Sequence, residues 1–341
     1  MPRSIPELLS IAEDQRDQGW LTQSVQSAIE LEFSTIPLYL SAYWSIQHPT
    51  PKDANSVSGL IINIAYEEML HLGLACNMLS ALGTTPDIVS AVPTYQRRGL
   101  PGGVKPHLYV TLAGLTMERI RKLFMEIEYP EGGPVTDVVE ETATTTYPTI
   151  GAFYDAIQAA FTKLRPPLTA QKQLTYPAAS PWLFPVQTPN DFLRAITTIK
   201  EQGEGTSTTP DAPDYGNELA HYYKFASIAH GAMYVQGTDQ HWSYSGPPKV
   251  PFQSVYPVME VPKGGYPNPP AEEHTFNQLF TDLVNTLQQA WEIGGTTGNQ
   301  LLSTAVTEKM ELLDNPASQL VQQNYCPTFE YQSTNSGAVK Q

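Results

Sequence analysis

Cysteine is nearly absent from this chain: only Cys76 and Cys326 occur in 341 residues. Two isolated thiols make neither a disulfide framework nor a Cys-x-x-Cys motif, and a reducing cytoplasm is the expected home. Basic residues are scarce as well. Nineteen Lys and Arg face 34 Asp and Glu, a formal charge of −15, which argues against nucleic acid or an anionic membrane surface as partner. No uninterrupted apolar run approaches the ~18 residues of a membrane span. The N-terminal MPRSIPELLSIAEDQ lacks the apolar core of a secretory signal. Nothing repeats at a period of 20–50 residues, so a solenoid is not expected. What remains is a globular composition, 41% hydrophobic and 16% charged, long enough for one large domain or two smaller ones.

The most informative stretch is 59–82, GLIINIAYEEMLHLGLACNMLSAL. At helical period, Ile61, Ile64, Ala65, Leu72, Ala75, Met78 and Leu82 form one apolar stripe, with Glu68 and His71 in its middle. A carboxylate there needs compensation. Glu-x-x-His puts both groups on one helix face, the arrangement of di-metal helical bundles. The spacing recurs at Glu218 and His221, in NELAHYYKFASIAHG. With 22 Glu and 7 His, chance places about half of one such pair in a chain, so context must support the motif.

That context is helical. Residues 21–47 read as a helix with Val25, Ile29, Glu32, Ile36, Leu40 and Tyr43 on one side and Pro37 one turn past Glu32. Glu30, about 200° from Glu32 on the helical wheel, faces away. A Pro/Asn/Asp/Ser turn over 48–58 reverses the chain. Glu32 and Glu68 then meet at one level, ~20 Å from that turn at 1.5 Å per residue. Residues 83–188 read as an elaborated crossover with helices at 116–128 and 149–164 and a strand near 107–112. Glu126 and Glu128, beside Arg119, Arg121 and Lys122, read as a solvated face. A third bundle helix over 189–203 ends in IKEQGEG, where Glu204 is the preferred inward carboxylate and Glu201 the alternative. Residues 215–236 read as the fourth helix.

The expected fold is therefore mainly α. It is a four-helix bundle over 1–236 with the 83–188 insertion between its second and third helices. Residues 237–341 follow as a Pro-rich wrapping segment, with eight prolines in 245–270, and C-terminal helices packed on the bundle. Glu32, Glu68, His71, Glu204, Glu218 and His221 form the expected ligand set: four carboxylates and two imidazoles. This set suits two iron ions, or manganese, better than thiolate-preferring structural zinc. Tyr39, two turns past Glu32, is a candidate hydrogen-bonding or redox-active neighbour of the metals.

The segments AIELEFSTIPLYLSAYWSI, IAYEEMLHLGLACNMLSALG, YPTIGAFYDAI and QGEG…NELAHYYKF recur in order in one branch of the ferritin-like superfamily. Over residues 20–236 the chain resembles the iminophenyl-pyruvate dimer synthase domain of violacein- and rebeccamycin-type bisindole pathways. The resemblance implies metal binding at the same six positions, a tyrosine at Tyr39 beside them, and oxidative coupling of an amino-acid-derived imine. The expected activity is a di-iron oxidoreductase using O2 or peroxide on a small organic substrate, with no nucleic-acid or membrane partner and room for a homo-oligomer. Ferroxidase and iron storage, a dimanganese catalase and a non-catalytic metal-binding module are the alternatives.

Overall fold

The computed structural model of this chain describes residues 4–130, 133–134, 149–177, 181–205, 209–212, 216–245 and 248–333. After the short α1 (Ile5–Leu9), two long helices, α2 (Gln18–Trp44) and α3 (Val57–Ala81), lie against one another as an antiparallel pair. Each is buried around most of its circumference, the signature of helices with protein on every side. Asp17 caps α2 by accepting from Trp20 N–H at 2.8 Å, and the Trp20 indole donates to the Leu8 carbonyl at 2.9 Å, docking α1. Pro37 offers no N–H to the Phe33 carbonyl, yet α2 runs through it. Ser56 caps α3 at Gly59 N–H. A Cβ on Gly59 would sit 2.0 Å from the Asp53 carbonyl oxygen, so only glycine admits this close approach.

One side of the pair is covered by elements from the middle of the chain. A two-residue ladder, β1 (Arg97–Arg98) with β2 (Tyr109–Val110), precedes a helix in three pieces: α4 (Met117–Arg119), a π-helical segment (Ile120–Phe124) and α5 (Met125–Ile127). Next come α6 (Ile150–Leu164) and α7 (Pro189–Glu204), joined face to face by Phe161 and Phe192, whose rings stack at 3.9 Å. Thr188 and Asp191 form a reciprocal capping box at the start of α7. A hairpin, β3 (Asp211–Ala212) with β4 (Glu218–Leu219), leads into α8 (His221–His230).

A third ladder, β5 (Val235–Gln236) with β6 (Trp242–Ser243), follows. The Pro-rich stretch is extended, touching α2's end through an Ile46–Val255 bridge. The other side of the pair is covered by α9 (Ala271–Ile293), α10 (Gly295–Thr304), a π-helical segment (Ala305–Lys309) and α11 (Met310–Gln322). There Trp44 meets Phe276 edge-on and stacks on Phe329, and its indole donates to Asp314 at 2.8 Å.

The mainly helical bundle with extensions is as expected, but one of its details is corrected. The fourth helix spans ten residues, not the twenty-two of 215–236. Gly216 (φ 84°) and Asn217 (φ 57°) turn the chain into the β3–β4 hairpin before it, and Gly231 (φ 70°) ends it in the left-handed region. Within the 83–188 insertion, α5 packs against α8, and α6 against α2 and α7.

The three layers meet at Asn77, a fully buried side chain on α3. Its Nδ2 donates to the carbonyls of Leu174 and Phe184, and its Oδ1 accepts from Leu174 N–H and the Trp291 indole, all within 3.1 Å. Asn77→Ala strands these four buried partners, each costing roughly 1–3 kcal/mol when unsatisfied. A loss of at least about 3 kcal/mol is expected, read as a lowered urea midpoint with unchanged slope.

Candidate metal centre

Between α2–α3 and the middle-chain layer lies a cluster of buried acids and imidazoles. Glu32 comes from α2, Glu68 and His71 from α3, Glu128 from the C-terminal end of α5, and His221 from the first turn of α8; all five are buried. They form two overlapping groups, Glu32–Glu68–His71 and Glu68–Glu128–His221, and within each group the nearest oxygen and nitrogen atoms lie within 4.8 Å of one another. Glu68 belongs to both.

The two halves follow one pattern. His71 turns Nδ1 inward, 3.5 Å from Glu32 Oε2 and 3.8 Å from Glu68 Oε2, while its Nε2 is 2.9 Å from Gln202 Oε1. His221 turns Nδ1 inward, 2.8 Å from Glu68 Oε1 and 3.5 Å from Glu128 Oε2, while its Nε2 is 2.9 Å from Glu67 Oε2. The rings stack at 5.5 Å. An acceptor behind each Nε2 fixes a proton there and turns Nδ1 toward the interior. Each terminal carboxylate is held by a phenol: Tyr154 donates to Glu32 Oε1 and Tyr39 to Glu128 Oε1. Thr35 donates to Glu68 Oε2 at 2.9 Å.

Burial and the neighbouring carboxylates hold the Tyr39 and Tyr154 phenols well above their ordinary range, so both remain donors. Burial also raises Glu32. Burial disfavours ionised Glu68 too, but the His221 and His71 imidazoles outweigh it and hold this carboxyl low. Against the same burial, Glu32 and Glu68 lift His71 to about 9, and Glu128, Glu67 and Glu68 raise His221 well above its usual value. Behind His221, Glu67 is held near 2 despite burial, because Lys224 Nζ lies 2.6 Å from its Oε2.

These residues fit a pair of metal ions. His221 Nδ1 is buried and lacks a well-formed hydrogen bond although a carboxylate oxygen lies 2.8 Å away, as expected of two groups that converge on a common cation. Carboxylates with two imidazoles form a donor set for iron or manganese, and two divalent charges offset the acids' repulsion.

The structure brings five of the expected ligand residues to this place and moves one away. Glu32, Glu68, His71 and His221 are in the cluster. Glu204, and not Glu201, lines the small cavity beside it, with its Oε1 accepting from Gly151 N–H at 3.0 Å. Glu218 lies outside both groups. It stands on β4, where the i, i+3 geometry of a helix does not apply, with its side chain 54% exposed and 3.3 Å from Lys224. Glu128 is buried in the second group and not on a solvated face. Arg119, Arg121 and Lys122 on the preceding turns obscure it, yet its i−4 neighbour Phe124 and its neighbour Ile127 are buried. Tyr154 shares a stripe with Gly151, Ile157 and Phe161, and a buried phenol requires a polar partner.

The ferritin-like family model matches residues 25–230. This chain belongs to the ferritin-like family. All six expected ligand positions, and Glu128 and Tyr154, fall inside the matched region. Among solved structures, a ferritin-like protein from Caulobacter vibrioides is similar over 92% of this chain and 97% of its own, with 24% identity and a TM-score of 0.63, a likeness that speaks for the fold. No curated protein matches this ferritin-like chain. No helix among the described residues is long and apolar enough to cross a membrane.

Glu128 and Glu218 separate the two ligand assignments. After anaerobic iron loading and desalting, a di-metal bundle retains about two ions per chain. Glu128→Ala is expected to lose at least about half of that metal by plasma mass spectrometry, and Glu218→Ala to keep it.

Proposed function

We propose that this chain is a non-haem di-metal oxidoreductase, with iron as the favoured metal and manganese as the alternative, using O2 or peroxide on a small organic substrate. The reading is carried by Glu68, shared between two Glu/His half-sites whose imidazoles are each backed by an acceptor. Glu32 and His71 would hold one ion, Glu128 and His221 the other, with Glu68 between them and Glu204 facing the same space. When bound, the ions supply redox change and Lewis acidity.

The protein's own groups set the conditions for that chemistry. Tyr154 and Tyr39 fix one oxygen of Glu32 and of Glu128 and leave the other facing an imidazole. Thr35 orients Glu68. Leu31, Ile127, Ile150 and Ile199 wall the adjoining cavity, whose volume is about 30 Å³. That space admits water or a small oxidant and excludes an organic molecule. The resemblance to iminophenyl-pyruvate dimer synthases points to an amino-acid-derived imine as the substrate class. The small cavity also favours a second reading, a dimanganese catalase, because peroxide alone fits beside the ions.

Iron titration under air tests the reading. A resident centre oxidises and holds about two iron ions per chain and then stops. Failure to retain metal, or continued uptake toward a mineral, would overturn it. Oxygen release from peroxide after manganese loading, with no oxidation of organic substrates by either metal form, would transfer the assignment to the catalase reading.

A further inference from the structure

A second and much larger cavity, about 880 Å³, lies on the opposite face of α3, between the α2–α3 pair and α9–α11. Its wall is rich in rings, among them Phe33, Tyr43, Trp44, Trp182, Phe280 and Trp291. Four carboxylates also line it, Glu67, Glu218, Glu311 and Asp314, and no Lys, Arg or His is among its described lining residues. Nearby cations among the described residues do not balance this charge. Lys224, behind the wall, is shared by Glu67 and Glu218, and Asp314 accepts from the Trp44 indole. Tyr66, 57% exposed, marks the solvent side. At the inner end stand Gln202 and Glu67, the two residues that accept from the outer nitrogens of His71 and His221. One layer of side chains thus separates this cavity from the metal centre.

We infer that this cavity is the organic-molecule site of the chain and takes a neutral or cationic compound of two or more aromatic rings carrying an amine or other N–H donor. Aromatic faces attract cations and stack on flat rings, and unbalanced carboxylates repel an anionic ligand. A substrate derived from an amino acid would therefore enter without its free carboxylate. The cavity has the volume that the metal-side space lacks, and its contact with Gln202 and Glu67 couples its contents to both imidazoles. This inference deepens the oxidoreductase reading, but binding at the cavity is measurable without turnover.

The test uses three matched probes on the full chain, with and without metal: 4-benzyloxyphenethylamine, the corresponding alcohol, and 4-benzyloxyphenylacetate. Tryptophan fluorescence and calorimetry should show saturable one-to-one binding of the amine. The alcohol should follow, and the carboxylate should bind at least about tenfold more weakly. Val306→Trp, which fills the cavity from the side away from the cluster, should abolish binding and leave the metal content unchanged. Glu311→Gln with Asp314→Asn should narrow the preference for amine over carboxylate. Carboxylate binding as tight as the amine, no binding of any probe, or binding indifferent to Val306→Trp would overturn the inference. Probe binding by a chain that retains no metal would leave the inference standing and remove the oxidoreductase reading. Metal retention without probe binding would do the reverse.

Discussion

The burial of several acidic side chains between packed helices is the constraint to which the rest of this structure answers. A lone carboxylate in such a place is neutralised or expelled. Here Glu32, Glu68 and Glu128 are kept in place by donors with few other options, two buried phenols and a threonine hydroxyl, beside two imidazoles. Each donor fixes one oxygen and leaves another facing the same interior space. The arrangement is repeated about Glu68, with a phenol, a terminal carboxylate and a backed imidazole on either side. A second carboxylate, Glu67, is reserved for the back of His221 and is neutralised by Lys224.

This demand explains why the central pair is buried on every side. Helix α3 presents Glu68 and His71 to the middle-chain layer and Tyr66, Glu67 and Leu70 to the large cavity. One helix thus separates a space sized for a small oxidant from a space sized for an organic molecule. The C-terminal hundred residues, which add little to the cluster itself, build the far wall of the larger space through α9, α10 and α11. The described residues of the Pro-rich stretch before them line neither.

Much of this was legible in the chain. Apolar periodicity placed α2 and α3 to within about three residues at each end, and the equal distance of Glu32 and Glu68 from one turn put them at one level. Glu68 and His71 stood out because polar groups in the middle of an apolar stripe are anomalous. Helical period misled where the local backbone was not an α-helix. Glu218 and His221 have the right spacing, but a hairpin ends between them and sends Glu218 to the surface. Glu128 closes a helix with a π-helical segment and a cationic flank, and its burial depends on α8 packing over it.

By itself the sequence determined the elements with strong local signals: the long amphipathic helices, the level of the first two acids and the mainly helical class. Tertiary structure alone decided which carboxylate stands beside His221, which phenols hold the acids, and where the large cavity lies. Periodicity reports how a residue faces its own helix. The partners of Glu128, Tyr154 and Gln202 lie roughly 90 to 130 residues away in the chain, and only the packing of separate helices brings them together.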